Sequence, residues 1–305
     1  MTAFITKRLV RGFITLFAVS AIVFLLLHVF IDPVRMMLPD IANQRLYSYT
    51  QHALGLDKSI PHQFTAYVGQ AIRGEFGNSF YQQRPTRTIV LEAIPKTAVL
   101  AGIAFFLAVI LGIGMGVLAA LRPRSLLDNM IGLIYMAEIS MPEFWLALLM
   151  ILLFAVHFHI LPVAGYGKWQ DIVLPAVVLS TRPMGRIALV TRAAMLEQMG
   201  QPYILAAHGK GLRLWRVITR HVLKNAGISV VTISGIELAH LLSGVIIIET
   251  IFGWPGIGWV AEQALSSGDF PLIQAVVLWV SILIVGMNLL IDVIYGWLDP
   301  RVRYT

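Results

Sequence analysis

The sequence has no cysteine and little charge. None of its 305 residues is a cysteine, and only 13% are Asp, Glu, Lys or Arg. The absence of cysteine excludes disulfides, thiolate-ligated iron–sulfur clusters and thiolate zinc sites. The scarcity of charge, together with 58% hydrophobic residues and a mean hydropathy of +0.78, excludes an ordinary soluble protein. We therefore expect an all-α polytopic membrane protein.

Acidic residues are fewer than basic ones, which leaves a formal net charge of +7. Such an excess can indicate nucleic-acid binding, but here the basic residues lie mainly beside the ends of apolar segments. Positive charge in short loops marks the cytoplasmic side of a membrane protein. The charge pattern therefore predicts membrane topology, contact with membrane lipid and no nucleic-acid partner.

Six apolar segments are long enough to cross a bilayer, which takes about 20 residues. The first is longer than the apolar part of a signal peptide and is followed by no small-residue cleavage site, so we predict an uncleaved span. Six spans place all the basic clusters on one side, which predicts that both termini are cytoplasmic. The segments cover residues 9–31, 97–121, 130–158, 172–194, 226–248 and 273–297, and the clusters are Lys7–Arg11, Arg122–Arg124, Arg192–Lys224 and Arg301–Arg303.

The polar stretches between these segments predict the domain organisation. Residues 1–31 are expected to form the first transmembrane helix, residues 32–96 an extracytoplasmic loop or subdomain, and residues 97–305 a five-helix core. Within that core, the long basic interruption at about residues 195–225 is predicted to be cytoplasmic.

Glycine and proline inside the segments predict how the helices pack and bend. Gly112, Gly114 and Gly116 are expected to give the second segment a small-residue face for close helix packing. Pro142 is expected to bend the third segment.

The basic interruption contains the stretch Tyr203-Ile-Leu-Ala-Ala-His-Gly-Lys-Gly211. Its two glycines permit positive φ angles at no steric cost, so the stretch predicts a short helix, a glycine hinge and a second helix. In the second helix, basic and apolar residues recur on different faces, which predicts a helix lying along the membrane surface. The basic residues are Arg213, Arg216, Arg220 and Lys224, and the apolar ones are Leu214, Val217, Ile218 and Val222.

The pair Gly209-Lys210 could suggest a phosphate-binding loop. Such a loop needs glycine five residues before the Gly-Lys pair and a hydroxyl residue after it. Ile204 and Gly211 occupy those two positions. The chain is therefore not expected to bind nucleotide by this route.

The spacing of Ala206-Ala207 and Gly211 resembles the "EAA" loop of ABC importer permeases, the element that docks on a cytoplasmic ATPase. The chain is similar to the peptide/nickel permease family in particular, although Leu205 stands where the loop's name puts Glu and Lys224 where the superfamily often has Pro. The resemblance extends over nearly the whole chain. Its motifs are Gly55-Leu-Asp57, Phe76-Gly-Asn-Ser79, Pro142-Glu-Phe-Trp145, Arg220-His-Val-Leu-Lys-Asn-Ala226, Glu249-Thr-Ile-Phe-Gly-Trp-Pro-Gly-Ile-Gly258 and Leu298-Asp-Pro-Arg301.

The resemblance implies six transmembrane helices of the type I importer kind in a bacterial inner membrane. It also implies a transport subunit that is not an enzyme, with ATP and Mg on two partner ATPase subunits and no cofactor in this chain. The other implied partners are a second permease, forming a heterodimer, and an extracytoplasmic solute-binding protein. The residues expected to contact the ATPase are Tyr203, Ala206, Ala207, Gly209 and Gly211.

Ionisable residues inside the apolar segments are candidates for the translocation path. A charge in the middle of a bilayer costs roughly 2.5–3.5 kcal/mol, so each should face a partner, a cavity or an interface. These residues are expected either to line the translocation path or to pair with residues on neighbouring helices. The spacing of Glu237 and His240 could suggest a metal site, but one such pair supplies too few ligands. The candidates are Glu138, Arg182, Arg186, Glu237, His240 and Asp292.

Two other classes of function compete with an importer. An intramembrane enzyme is not expected, because the segments contain no His-Glu-x-x-His motif, no serine-nucleophile motif and no paired aspartates. A channel would not need the glycine-hinged cytoplasmic segment. The family handles nickel, metal chelates and peptides, and the outer stretch Gly165-Tyr-Gly-Lys-Trp-Gln-Asp171 favours metal chelates slightly. The alternative is a permease for dipeptides and oligopeptides only.

Overall fold

The computed structural model describes residues 2–29, 34–35, 38, 43–53 and 55–298. These residues form helices joined by turns, and no β-strand occurs among them. The all-α class is therefore confirmed. The predicted terminal motif from Asp299 to Arg301 lies outside the described residues.

The helices are α1 (Thr2–Val29), α2 (Gln44–Ala53), α3 (Ile60–Arg73), α4 (Thr86–Leu121), α5 (Leu126–Ser140), α6 (Glu143–Met150), α7 (Val173–Met199), α8 (Pro202–Gly209), α9 (Leu214–Val217), α10 (Leu223–Ile251), α11 (Ile257–Ser266) and α12 (Phe270–Leu298). A π-helical turn, Ile151–His157, extends α6, a second one, Ile218–Val222, joins α9 to α10, and a 3-10 turn, Trp169–Ile172, precedes α7.

Among the described residues, five helical stretches are long and apolar enough to cross a membrane. They are Thr6–Leu27, Thr86–Leu121, Trp169–Met199, Leu214–Leu241 and Phe270–Val293. They correspond to five of the six predicted segments.

The third predicted segment, residues 130–158, is divided instead. Helix α5 ends at Ser140, and Pro142, in an extended conformation, precedes the first residue of α6. Proline has no amide hydrogen and clashes with the preceding turn, so a break before it is its ordinary effect. Pro142 thus interrupts the helix where a bend was predicted, and the sixth crossing stays a prediction.

The chain folds into two compact units. The first comprises Met1–Thr97 and Pro255–Leu289, and the second comprises Ala98–Trp254 and Leu290–Thr305. Helices α4 and α12 contribute residues to both units.

Aromatic side chains form much of the core of the first unit. The ring centroid of Phe24 on α1 lies 5.2 Å from that of Phe64 and 5.4 Å from that of Tyr67, both on α3. The hydroxyl groups of Tyr67 and Ser20 share a hydrogen bond of 2.9 Å. A buried phenol needs such a partner, so this contact fixes how α3 lies along α1.

Buried hydrogen bonds hold the turn that follows α3. Ser79 donates its hydroxyl to Oδ2 of Asp269, and Oδ1 of the same carboxylate accepts the amide of Leu272 at 3.3 Å in the first turn of α12. The hydroxyl of Thr86 donates to the carbonyl of Gly77 at 3.0 Å. Because Ser79 and Asp269 are both fully buried, this network explains the serine of the Phe76–Ser79 motif structurally.

Helix α7 lies at the centre of the second unit. Of its 27 residues, 13 are buried, and it packs against α5, α6 and α10. A helix that buries residues on more than one face belongs in a core. Helix α7 therefore holds its arginines, Arg182, Arg186 and Arg192, in fixed positions within this unit.

Helix α4 approaches α7 closely at two glycines. A Cβ on Gly112 would lie 2.8 Å from the carbonyl oxygen of Met184, and one on Gly116 would lie 2.5 Å from that of Ala188. A Cβ on Gly114 would meet nothing within 4 Å. The predicted small-residue face is confirmed for Gly112 and Gly116, which are one helical turn apart, but not for Gly114.

Candidate functional site

A short helix ended by a glycine follows α7. Gly211 has a φ of +75°, and the amide of Leu212 donates to the carbonyl of Ala207 at 3.4 Å. This bond and the left-handed glycine are those of a Schellman motif, which stops a helix and reverses the chain. Gly209, the other glycine that could permit such an angle, lies inside α8 and has no positive φ.

The two faces of α8 have different environments. Ile204 and Ala207 are buried, and they pack in a cluster with Met195 of α7 and Val222. Leu205 and Ala206 point the other way, and the side chain of Leu205 is 71% exposed. Helix α8 is thus held to the second unit by one face and presents a small apolar surface on the other.

A polar network supports the start of α8. The hydroxyl of Tyr203 donates to Oε1 of Gln198 at 2.7 Å and accepts from Nδ2 of Asn225 at 2.9 Å. Gln198 lies at the end of α7 and Asn225 near the start of α10. Tyr203 therefore connects α8 to both neighbouring helices.

The basic segment after Gly211 continues directly into α10. The residues that join α9, the π-helical turn and α10 all have right-handed helical angles. Val217, Ile218 and Val222 are buried against α7 and α8. The prediction of a separate surface helix is therefore wrong, because the segment continues into α10 and three of its four apolar residues pack on the chain itself, whereas Leu214 is 61% exposed. The four basic side chains are exposed, as predicted.

A cavity of about 550 Å³ opens between the end of α5, the start of α6 and the middle of α7. Its charged lining residues, among those that the structure describes, are Glu143, Arg182 and Arg186. Nη1 of Arg182 donates to Oε1 of Glu143 at 3.2 Å, and the two side chains are 62% and 24% exposed. Glu143 was not a sequence candidate, because only the fold brings the start of α6 against α7.

A second ion pair lies one turn further along α7. Nη1 of Arg186 donates to Oε1 of Glu237 on α10 at 2.8 Å. The Glu237 side chain is only 2% exposed. A carboxylate so deeply buried requires a paired cation, so Arg186 neutralises it. Two of the candidate path residues thus form a pair between helices.

The other candidate path residues are His240, Asp292 and Glu138. His240 is exposed on α10, whereas Glu237 is buried, so the two do not face one site. Asp292 is half-buried on α12. The side chain of Glu138 lies outside the described residues. In the described part of the chain, no cluster of three or more potential metal ligands occurs.

A third ion pair lies where α5 begins and was missed from the sequence. Nη2 of Arg192 donates to Oδ2 of Asp128 at 2.7 Å, and the same oxygen accepts the amide of Arg124 at 2.8 Å. The hydrogen bonds from Arg192 hold the pKa of Asp128 below its ordinary value. Asp128 therefore stays ionised and joins the start of α5 to the end of α7. A possible signal was its position three residues after Ser125, in the first turn of a helix.

The loop before α7 packs on the turn that follows α10. The amide of Gly165 donates to the carbonyl of Phe252 at 3.1 Å, and the ring of Tyr166 lies edge-on to that of Trp254 at 4.9 Å. The amide of Lys168 donates to Oδ2 of Asp171 at 2.8 Å. Packing and turn formation therefore account for Gly165, Tyr166 and Gly167, which has a φ of +122°, whereas Trp169 is 74% exposed.

Two family models match the sequence. The model described as binding-protein-dependent transport system inner membrane component matches residues 112–304, and the corresponding model for the N-terminal part of such membrane components matches residues 1–101. The chain is 34% identical over 305 residues to the glutathione transport system permease protein GsiC of Escherichia coli (strain K12), with all of both chains covered (100% and 100%). It is 34% identical over 334 residues to the di/tripeptide transport system permease protein DppB of Pseudomonas aeruginosa (strain UCBPP-PA14), which covers 100% of this chain and 99% of that protein.

Solved structures of membrane transport proteins share the fold. A chain of the MetNI methionine ABC transporter in an inward-facing conformation matches with a TM-score of 0.56 and 19% identity, over 69% of this chain and 96% of that chain. A chain of an amino acid ABC transporter matches with a TM-score of 0.55 and 14% identity, over 69% of this chain and 94% of that chain. At such identities the likeness shows the fold alone.

Proposed function

Because the chain belongs to the family of binding-protein-dependent transport system inner membrane components, and is therefore the permease subunit of an ABC importer, we propose that it imports small peptides. The substrates are glutathione or di- and tripeptides, delivered by an extracytoplasmic binding protein. The observation that carries this proposal is 34% identity, over the full length of the chain, to permeases named for those substrates.

The outer loop that favoured metal chelates carries no independent evidence for them. Gly165 and Tyr166 make packing contacts with Phe252 and Trp254, so these residues are explained without a metal. The preference for nickel or metal chelates therefore gives way to the peptide alternative, and nickel uptake becomes an outcome of the test below.

The complete importer contains this chain, a second permease, two cytoplasmic ATPase subunits and the binding protein. Family membership implies the ATPases and the binding protein. The second permease is proposed to be a different chain, so that the two form a heterodimer. ATP and Mg bind to the ATPase subunits, and this chain changes conformation as those subunits close and open.

Helix α8 is the element proposed to transmit that movement. Its exposed residues Leu205 and Ala206 form a surface that a cleft on an ATPase subunit can receive. Its buried face and the Tyr203 network attach it to α7 and α10, the helices that carry the ion pairs of the cavity. A displacement of α8 therefore moves α7 and α10.

Six spans with cytoplasmic termini are proposed for the topology. Helix α6 with its π-helical turn, Glu143–His157, is shorter than the roughly 20 residues that a span needs, so α5 must contribute to the third crossing. Because the chain has no cysteine, single cysteines can report the topology. Impermeant thiol reagents added to intact cells should label Asn78→Cys and Ser266→Cys but not Lys210→Cys. Labelling of Lys210→Cys from outside contradicts the topology.

Transport by the reconstituted importer tests the substrate. Proteoliposomes with the complete complex and its binding protein are supplied with labelled glutathione, a dipeptide, a tripeptide or Ni²⁺. We expect ATP-dependent uptake of at least one peptide and no uptake of Ni²⁺, with vesicles lacking ATP as the control. Uptake of Ni²⁺ without any peptide overturns the proposed substrate class.

A further inference from the structure

The two ion pairs beside the cavity differ in a way that assigns them different roles. In the first pair the carboxylate is buried: the Glu237 side chain is 2% exposed, and its Oε1 lies 2.8 Å from Nη1 of Arg186. Removing the cation would leave a buried, uncompensated carboxylate. Arg186 is therefore required to neutralise Glu237, although its own side chain is 41% exposed and it also lines the cavity.

The pair of Arg182 and Glu143 is longer and more exposed than that of Arg186 and Glu237. Its N–O distance is 3.2 Å, and the Arg182 side chain is 62% exposed at the cavity. An ion pair with this much exposure is weak, so either member can exchange its partner for a ligand group. Arginine also retains further N–H donors when one of them is used, which suits it to a carboxylate.

The position of Glu143 is set by a glycine on α10. A Cβ on Gly244 would lie 2.8 Å from Oε2 of Glu143, so the carboxylate occupies the room that the missing side chain leaves. Glu143 is thus held at the start of α6 with one oxygen toward Arg182 and the other against the Gly244 backbone. Its side chain is 24% exposed, so a ligand can reach it.

We propose that Arg182 and Glu143 together bind the two charged ends of a zwitterionic peptide in this cavity. The guanidinium of Arg182 takes the carboxylate, and the carboxylate of Glu143 takes the ammonium group. One weak ion pair is thereby replaced by two, and no charge remains unpaired. The inference rests on the proposed import of small peptides and names the residues that select them inside the permease.

The cavity suits such a ligand in size and lining. Its volume of about 550 Å³ lies within the range of about 300–1,000 Å³ found for small-molecule sites. Hydroxyl-bearing residues also line it, and they supply hydrogen-bonding groups for a peptide backbone. These are Tyr135, Ser140 and Thr181.

Equilibrium binding tests the assignment group by group. The complex of both permeases and the ATPases is placed in nanodiscs without the binding protein, which would otherwise impose its own selectivity. The probes are labelled alanyl-alanine, its C-terminal amide and its N-acetyl derivative. The wild type is expected to bind the free dipeptide at least about tenfold more tightly than either blocked form, since each blocking group removes a charged hydrogen bond.

The variants separate the two roles. Arg182→Gln is expected to abolish the preference for the free acid over the amide while keeping the preference for the free amine. Glu143→Gln is expected to do the reverse, and Arg182→Lys should retain most of the acid preference. The control is Arg84→Gln, which removes an exposed pair with Glu92 (2.6 Å, 47% and 51% exposed) that does not line the cavity, and it should change neither preference.

Two results overturn the inference. One is failure of the wild type to bind the free dipeptide or to distinguish it from its blocked forms. The other is retention of the acid preference by Arg182→Gln. Stimulation of ATP hydrolysis by peptide-loaded binding protein, measured on the same preparation, separates this failure from that of the proposed function. Absence of stimulation counts against peptide import, whereas stimulation without the expected preferences counts against Arg182 and Glu143 alone.

Discussion

The crossing of α4 and α7 and the turn after α8 both depend on glycine, but for opposite reasons. At the crossing, Gly116 allows two backbones to touch, since a Cβ there would lie 2.5 Å from the carbonyl oxygen of Ala188. At the turn, a Cβ on Gly211 would meet nothing within 4 Å, and glycine is needed only for its φ of +75°. The crossing holds the second unit together, whereas the turn ends the helix that we propose to contact the ATPase.

This difference predicts that glycine substitutions at the two places produce different defects. A side chain at the crossing forces two packed helices apart and should unfold the unit. A side chain at the turn alters only a local backbone angle, so the chain should fold but transmit movement poorly. Membrane abundance and coupling to ATP hydrolysis are the two quantities that distinguish these defects.

The largest effect is expected for Gly116→Leu. Overpacking a helix crossing costs about 3 kcal/mol, and here the nearest atom in collision is a backbone carbonyl oxygen, which cannot turn aside. Membrane abundance and the thermal unfolding temperature should fall sharply. Gly114→Leu, two residues away and facing open space, is the matched control. Equal abundance of the two variants would show that the crossing does not carry the stability assigned to it.

An intermediate effect is expected for Gly211→Val. Forcing a β-branched residue into the left-handed region costs on the order of 1–3 kcal/mol, too little to remove the chain from the membrane. Abundance should stay near normal, while peptide-stimulated ATP hydrolysis and import should be lost. Gly211→Asn is the control, because asparagine tolerates this conformation and should retain partial coupling. Similar coupling in both variants would exclude the φ angle as the cause.

The smallest effect is expected for Tyr203→Phe, which removes the hydroxyl shared with Gln198 and Asn225. These are exposed hydrogen bonds, so their loss should cost about 1 kcal/mol or less. Import should decrease modestly at unchanged abundance. Loss of import as complete as in Gly211→Val would mean that the network, and not the turn, sets the position of α8.

Sequence patterns correctly predicted the structural features that depend on neighbouring residues in the chain. Apolar length located five membrane-length helices, and the Gly211 position in the 203–211 stretch located the end of α8. The spacing of Gly112 and Gly116 located the close crossing. These features follow from composition and from the backbone freedom of glycine, which a sequence displays directly.

The features that the sequence did not predict depend on contacts between residues far apart in the chain. The apolar residues after Gly211 have the spacing of a surface helix, and only the structure shows that three of them are buried in the cluster with Met195 and Ile204. Glu143 pairs with Arg182 and Asp128 pairs with Arg192, and these partners are 39 and 64 residues away in the sequence. Periodicity reveals which face of a helix is apolar, but not whether lipid or protein covers it.

The structure also changes where contact with the ATPase should be sought. Ala207 was expected to contact the ATPase, yet it is 7% exposed and packs inside the chain, whereas Ala206 and Leu205 are exposed. A charge at position 207 is therefore expected to loosen α8 itself. A charge at position 205 or 206 should act on the docking surface alone.

Cross-linking from α8 tests the central claim, which is that this helix couples the permease to its ATPase. The chain has no cysteine, so Leu205→Cys, Ala206→Cys and Ala207→Cys each provide a single thiol. Each variant is assembled with ATPase subunits that carry one cysteine in the cleft, and is treated with a short bifunctional thiol reagent. Leu205→Cys and Ala206→Cys are predicted to cross-link to the ATPase, with a yield that changes when ATP is added, whereas the buried Ala207→Cys is not. No cross-link from Leu205→Cys or Ala206→Cys, in a complex that still hydrolyses ATP in response to peptide, would contradict the account.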